Sequence, residues 1–183
     1  MKELLKGLNI YLIGMMGSGK TTVGELLAKE LGYRFLDTDT IISAVSEKSI
    51  NQIFAEDGED EFRQLESDVL QEVSAYLYTV IATGGGIILR QQNWSHLRDG
   101  MVVWLNVPIN VLVKRLKDDD TRPLLKREEL QTKLTSLYEQ RKSLYQQADI
   151  TIGIEENDNP NDIVQKIMVE IPHKIRQENS DLN

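Results

Sequence analysis

A chain of 183 residues with 40% hydrophobic and 27% charged side chains has the makeup of a globular protein, long enough to bury one good core and with little room for a second. Its 29 acidic against 21 basic residues leave a formal charge of −8, a field that repels phosphate backbones and anionic lipid. Nucleic acid and membranes are therefore not expected partners, and an anionic ligand must be held by a local cluster; the absence of cysteine and the presence of only His96 and His173 exclude disulfides, thiolate zinc, thiol nucleophiles and a histidine metal site.

The start, Met1 to Gly7, alternates charge with leucine and lacks the apolar core and small-residue cleavage site of a signal peptide. The longest uncharged stretch, Val73 to Leu89, spans 17 residues and is interrupted by Gly84, Gly85 and Gly86, short of the roughly 20 apolar residues of a membrane-spanning helix. A cytoplasmic protein is expected.

In chain order, Leu8 to Ile13 is the first apolar run of strand length. Gly14 to Thr21 (GMMGSGKT) follows it and matches G-x-x-x-x-G-K-[ST] between a strand and a helix, the context in which that pattern forms a phosphate-binding loop. Glycines at 14, 17 and 19 let successive N–H groups turn inward, Lys20 reaches the outer phosphates, and the Thr21 hydroxyl suits a hard cation such as magnesium. A glycine-rich turn without a ligand is the bland alternative. Val23, Leu26, Leu27 and Leu31 then form a helical stripe, with Gly32 as its left-handed stop.

Tyr33 to Leu36 reads as the second strand, running into Asp37-Thr38-Asp39, and alternation along extended backbone puts both carboxylates on one side near the phosphate site. One can hold a metal through water and the other can accept or fix the proton of an acceptor hydroxyl, although aspartates here also commonly cap a following helix. Glu61 to Tyr76 is helical, with Phe62, Leu65, Val69, Leu70 and Val73 inward. Arg63 near its start, where acidic side chains are favoured, calls for another reason: a guanidinium there can bind a substrate carboxylate with two parallel bonds, oriented by Glu66, or simply form a surface ion pair with it.

Thr79 to Ala82 is the third strand and ends in Gly84-Gly85-Gly86, where missing side chains let a backbone N–H or a ligand approach. No aspartate ends this strand, so Asp37 is the nearest candidate for a second metal ligand. Strand Met101 to Leu105, helix Val111 to Leu116, helix Glu128 to Tyr145, strand Asp149 to Ile152 and helix Asn161 to Ile171 complete the alternation, with a charged, proline-broken segment from Leu116 to Glu129. The order implies an α/β three-layer sandwich on a five-stranded parallel sheet, with ligands beyond the carboxyl ends of the strands. One domain is expected over residues 1–176, and the polar stretch 177–183 is expected to fray.

Together, GMMGSGKT, LDTD, GEDEFRQLE, GGG, RPLL and the late YEQRKSLY resemble the shikimate kinase family, in order and at similar spacing, from about Leu8 to Ile171. The resemblance implies a P-loop fold of the nucleoside monophosphate kinase type and transfer of phosphate from ATP to the 3-hydroxyl of shikimate, in aromatic amino acid biosynthesis. It implies nucleotide contacts over Gly17, Ser18, Gly19, Lys20, Thr21 and Thr22, with magnesium at Thr21 and Asp37. Asp39 would contact the acceptor hydroxyls, Arg63 and Arg141 would hold the carboxylate, and Gly84, Gly85 and Gly86 would line the ring. Arg115 would lie against adenine, and Arg122 would sit on a lid over about residues 117–129. Catalysis would rest on Lys20, Asp39 and Arg122, in an enzyme expected to be monomeric. The rivals are a gluconate or nucleoside monophosphate kinase, and a nucleotide-binding protein that has lost phosphotransfer.

Overall fold

Residues 1–117 and 127–181 are described by a computed structural model of the chain. In order they form α1 (Lys2–Leu5), β1 (Ile10–Ile13), α2 (Lys20–Leu31), β2 (Arg34–Asp37), α3 (Thr38–Ser46), α4 (Ile50–Glu56), α5 (Glu59–Ser74) and β3 (Thr79–Ala82). A 3-10 turn (Ile87–Leu89), α6 (Gln91–Leu97), β4 (Met101–Asn106), α7 (Ile109–Lys117), α8 (Arg127–Tyr145), β5 (Ile150–Gly153) and α9 (Pro160–Asp181) follow.

The strands pair in parallel in the order β2-β3-β1-β4-β5. Every residue of β1 and β3 is buried, and so are the first five of β4, because helices cover both faces of the sheet there. Alternation assigns the faces. Leu12 points to α2, whose Gly24 has no room for a Cβ against Leu12 and Phe35, while the Tyr11 hydroxyl reaches Ser74 of α5 at 3.0 Å. The outer strands β2 and β5 are only partly covered.

This topology leaves β1 flanked by β3 and β4, so the chain departs from the middle of the sheet in both directions. The segments after β1, β2, β3 and β4 then converge at one edge, the crevice where such sheets bind ligands.

Sequence reading assigns no residues to α3, α4 or α6, and α3 enters only as the helix that a capping aspartate would start. Local capping explains the first two: Asp37 accepts from Thr40 N at 3.1 Å, and Ser49 and Gln52 form a reciprocal capping box. Among the described residues α9 runs on to Asp181. With no proline or glycine between His173 and Asp181, α9 keeps its backbone ladder past the last fully buried side chain, Ile171. Among the described residues no helix is long and apolar enough to cross a membrane.

Candidate active site

The loop after β1 curls as its glycines allow. Gly14, Gly17 and Gly19 have φ of 146°, 75° and 91°, and a Cβ at Gly14 would lie 2.7 Å from the Leu105 carbonyl oxygen. α2 begins directly at Lys20, so the loop's N–H groups and the helix's positive end face the same space. The Lys20 ammonium donates to Gly14 O and Met15 O, both at 3.0 Å, and to Ser18 Oγ at 3.3 Å, which uses all three of its donors. Burial lowers its pKa from 10.5 to about 8, against the opposing pull of Asp39 and Asp37. Thr21 and Thr22 occupy the exposed first turn of α2.

Asp37 has two roles at once. Its Oδ1 caps α3, while its Oδ2 accepts from Thr21 Oγ1 at 2.7 Å. The capping alternative is thus true, and the same carboxylate also faces the Thr21 hydroxyl of the loop. Asp39 corrects the sequence reading: it lies in the first turn of α3, not on extended backbone, so helix geometry, not strand alternation, aims it. Between them Thr38, fully buried, accepts from Gly84 N at 3.2 Å, a joint that sequence reasoning missed.

Arg63 is neither an exposed nor a lone cation. Its side chain is 12% exposed and pairs with Glu66, which is 1% exposed, while Nε and Nη2 share Glu59 Oε1 at 3.3 and 3.2 Å. The guanidinium also lies over Phe62 and Phe54, at 5.1 and 5.9 Å from the ring centroids. Burial raises the Glu66 carboxyl above its ordinary pKa, and Arg63 opposes that rise.

The turn after β3 is where these groups meet. A Cβ on Gly84 would fall 2.5 Å from Glu66 Oε1 and 2.8 Å from Asp39 Oδ1; one on Gly86 would fall on the Arg63 guanidinium, 2.5 Å from its Cζ. Gly85 lies against the phosphate loop, its would-be Cβ 3.4 Å from Gly14 O, and its carbonyl accepts from Arg141 Nη1 at 3.2 Å and Tyr145 Oη at 2.7 Å. The expectation of a close approach holds, but protein side chains supply it at 84 and 86. Tyr145 was missed as well; its signal is its position four residues after Arg141, on the same face of α8.

Arg115, at the end of α7, donates to Gly17 O at 3.3 Å and Ser18 O at 3.4 Å, so it is joined to the phosphate loop rather than solvated. Arg122 lies outside the described residues, as does most of the expected lid.

A central parallel strand feeding a phosphate loop, faced across a glycine turn by a pair of aspartates and two arginines, defines a P-loop kinase for a small anionic acceptor. The shikimate kinase family model matches residues 16–172. A shikimate kinase from Nostoc punctiforme is 54% identical over 180 residues, 98% of this chain and 99% of that one. Among solved structures, shikimate kinase from Acinetobacter baumannii in complex with shikimate is 40% identical with a TM-score of 0.85, covering 94% of this chain and 97% of that one. The enzyme from Bacteroides thetaiotaomicron is 34% identical with a TM-score of 0.84, covering 90% and 98%. The chain belongs to the shikimate kinase family, whose members transfer phosphate from ATP to shikimate.

Proposed function

We infer that the chain moves the γ-phosphoryl of ATP onto the 3-hydroxyl of shikimate, giving ADP and shikimate 3-phosphate on the route to chorismate, with magnesium as its metal. One observation carries this reading. The Gly84–Gly86 turn touches the phosphate loop through Gly85, Asp39 through Gly84, Arg63 through Gly86 and Arg141 through the Gly85 carbonyl, so donor and acceptor machinery share one turn.

Lys20 exchanges its carbonyl partners for the β- and γ-phosphate oxygens, which are stronger acceptors for a buried ammonium. Gly17, Ser18 and Gly19 offer N–H groups to the same phosphates, with Thr22 beside them, and Arg115, bonded to Gly17 O and Ser18 O, would lie against the adenine. Thr21 and Asp37 are two hard oxygen donors already 2.7 Å apart, and they are the residues that would hold a magnesium ion. When bound, the ion neutralises charge on the phosphates.

Arg63 and Arg141 grip the shikimate carboxylate, and Phe54 and Phe62 support Arg63 from below. Asp39 accepts a hydrogen bond from the reacting hydroxyl and fixes it in line. Because the transition state is loose, orientation counts for more than basicity, so a half-buried carboxylate is sufficient. Arg122 completes the reading as a lid residue that brings positive charge to the transferring group. The enzyme works as a cytoplasmic monomer on ATP and shikimate, without nucleic acid or membrane.

An ADP-release assay with magnesium ATP and shikimate, gluconate or AMP as acceptor tests the assignment. Turnover with shikimate alone is expected. Preference for gluconate or AMP would overturn it, and ATP binding without turnover on any acceptor would favour a non-catalytic nucleotide binder.

A further inference from the structure

The Gly85 carbonyl has two donors where one would satisfy it. Arg141 Nη1 lies at 3.2 Å and Tyr145 Oη at 2.7 Å. Tyr145 is fully buried, its ring stacks on Trp104 with centroids 5.6 Å apart and planes at 14°, and its hydroxyl lies 3.8 Å from Met15 Sδ in the phosphate loop. Burial pushes the phenol up to about 12, so it remains a donor throughout any practical assay range. The stacked ring fixes the direction in which that donor points.

Arg141 now spends an Nη1 N–H on Gly85, and a carboxylate gripped through the Nη1/Nη2 edge competes for that nitrogen. A carboxylate is the stronger acceptor, so a grip through that edge pulls Nη1 from its best geometry to Gly85. A buried carbonyl that loses its last donor is costly, and the cost would be charged to substrate binding. The tyrosine removes that cost, because the shorter of the two bonds stays in place.

We propose that Tyr145 is a positioning residue for the acceptor: its hydroxyl keeps the Gly85 carbonyl satisfied, which frees Arg141 for the carboxylate while the glycine turn stays seated against the phosphate loop. This rests on Arg141 binding the carboxylate, as argued above.

Tyr145→Phe deletes one oxygen and keeps the ring on Trp104, so it isolates the hydroxyl. Steady-state kinetics are compared for the wild type, Tyr145→Phe, Arg141→Ala and the double variant, with thermal melts alongside. Shikimate binding is also followed directly by tryptophan fluorescence, since Trp104 stacks on the altered ring. The single Tyr145→Phe change is expected to raise KM for shikimate about 5- to 30-fold, the range of one unmet buried hydrogen bond. KM for ATP should stay within about twofold, because the phosphate loop keeps its own bonds.

In the Arg141→Ala background, where no guanidinium needs release, the same change should alter shikimate KM less than about twofold. An unchanged shikimate KM in Tyr145→Phe overturns the proposal, and so does an equal rise in both backgrounds, which would mark a purely structural tyrosine. If Arg141→Ala itself leaves shikimate KM unchanged, the carboxylate assignment fails and the proposal falls with it, a result distinct from the other two.

Discussion

Raising the pH should disarm the phosphate loop well before it unfolds the protein. Lys20 is 9% exposed, and burial brings its ammonium from 10.5 down to about 8. Above that pH the free enzyme loses the charge that holds the outer phosphates, so kcat/KM for magnesium ATP, which reports ionisations of the free enzyme, should fall with unit slope. Bound triphosphate places negative charge beside Nζ and favours the ammonium, so kcat should hold to a higher pH than kcat/KM. Stability moves the other way. A base whose folded value lies below its unfolded one binds fewer protons when folded between the two values, so stability is lost as pH falls through about 8 and recovered as it rises toward 10.5. Lys20→Met has no such dependence. Integrating the linkage from pH 7 to 9.5 with these two values, the wild type should gain about 2 kcal/mol on the Met variant. Initial rates of ADP release across that range, with urea melts at its ends, measure both effects. A kcat/KM that stays flat to pH 9.5, together with a constant stability difference, would refute a desolvated Lys20.

Other substitutions separate the roles within the acceptor site. Asp39→Asn should lower kcat by about 10²- to 10⁴-fold while shikimate KM changes only a few-fold, and near-normal turnover would remove Asp39 from the mechanism. Arg141→Ala should raise shikimate KM by an amount corresponding to about 2–5 kcal/mol and leave ATP affinity unchanged. Arg63→Ala should do the same and also cost about 3–5 kcal/mol of stability in a urea melt, because it strands the buried Glu66 carboxylate; a variant as stable as Arg141→Ala would contradict that pairing. Gly86 has φ −103°, which alanine accepts, so Gly86→Ala acts only by displacing Arg63, and it should raise shikimate KM with little change in KM for ATP.

The fold was legible where chemistry is local and repetitive. β1, β3 and β4 are buried on both faces and so read as nearly unbroken apolar runs, and the α2 stripe ends at a glycine whose φ of 65° is the left-handed stop its position suggests. α3 and α4 were not legible. Each buries one or two side chains, Thr38 and Ile42 in the first and Ile53 in the second, too few to reveal a period, and their caps and tertiary contacts hold them. The site divides in the same way. The phosphate loop is eight consecutive residues and could be read whole, whereas Arg115 meets Gly17 across 98 positions, Arg141 meets Gly85 across 56 and Thr38 meets Gly84 across 46. No spacing rule encodes such contacts. Asp39 shows the cost of substituting a local rule for them: strand alternation places it beside Asp37, whereas it lies in the first turn of α3 and helix geometry aims it.

The glycine turn shows what composition alone conceals. Gly84, Gly85 and Gly86 do not have positive φ, unlike the glycines of the phosphate loop, so backbone freedom is not what the turn requires. What it requires is the absence of Cβ atoms. At 84 that space lies against the carboxylates of Glu66 and Asp39, at 86 against the Arg63 guanidinium, and at 85 against the loop that holds the phosphates. An acidic group that would hold the reacting hydroxyl and a basic group that would hold the carboxylate are brought to the same backbone from two sides, with the loop on the third. Small movements of this turn would misplace donor and acceptor together. That is why its backbone is pinned at Gly84 N by Thr38 and at Gly85 O by Tyr145 and Arg141, hydrogen bonds that perform no chemistry themselves. For in-line transfer, where a displacement of about 1 Å can cost 10²-fold in rate, holding the acceptor side rigidly against the phosphate loop is itself a large part of catalysis.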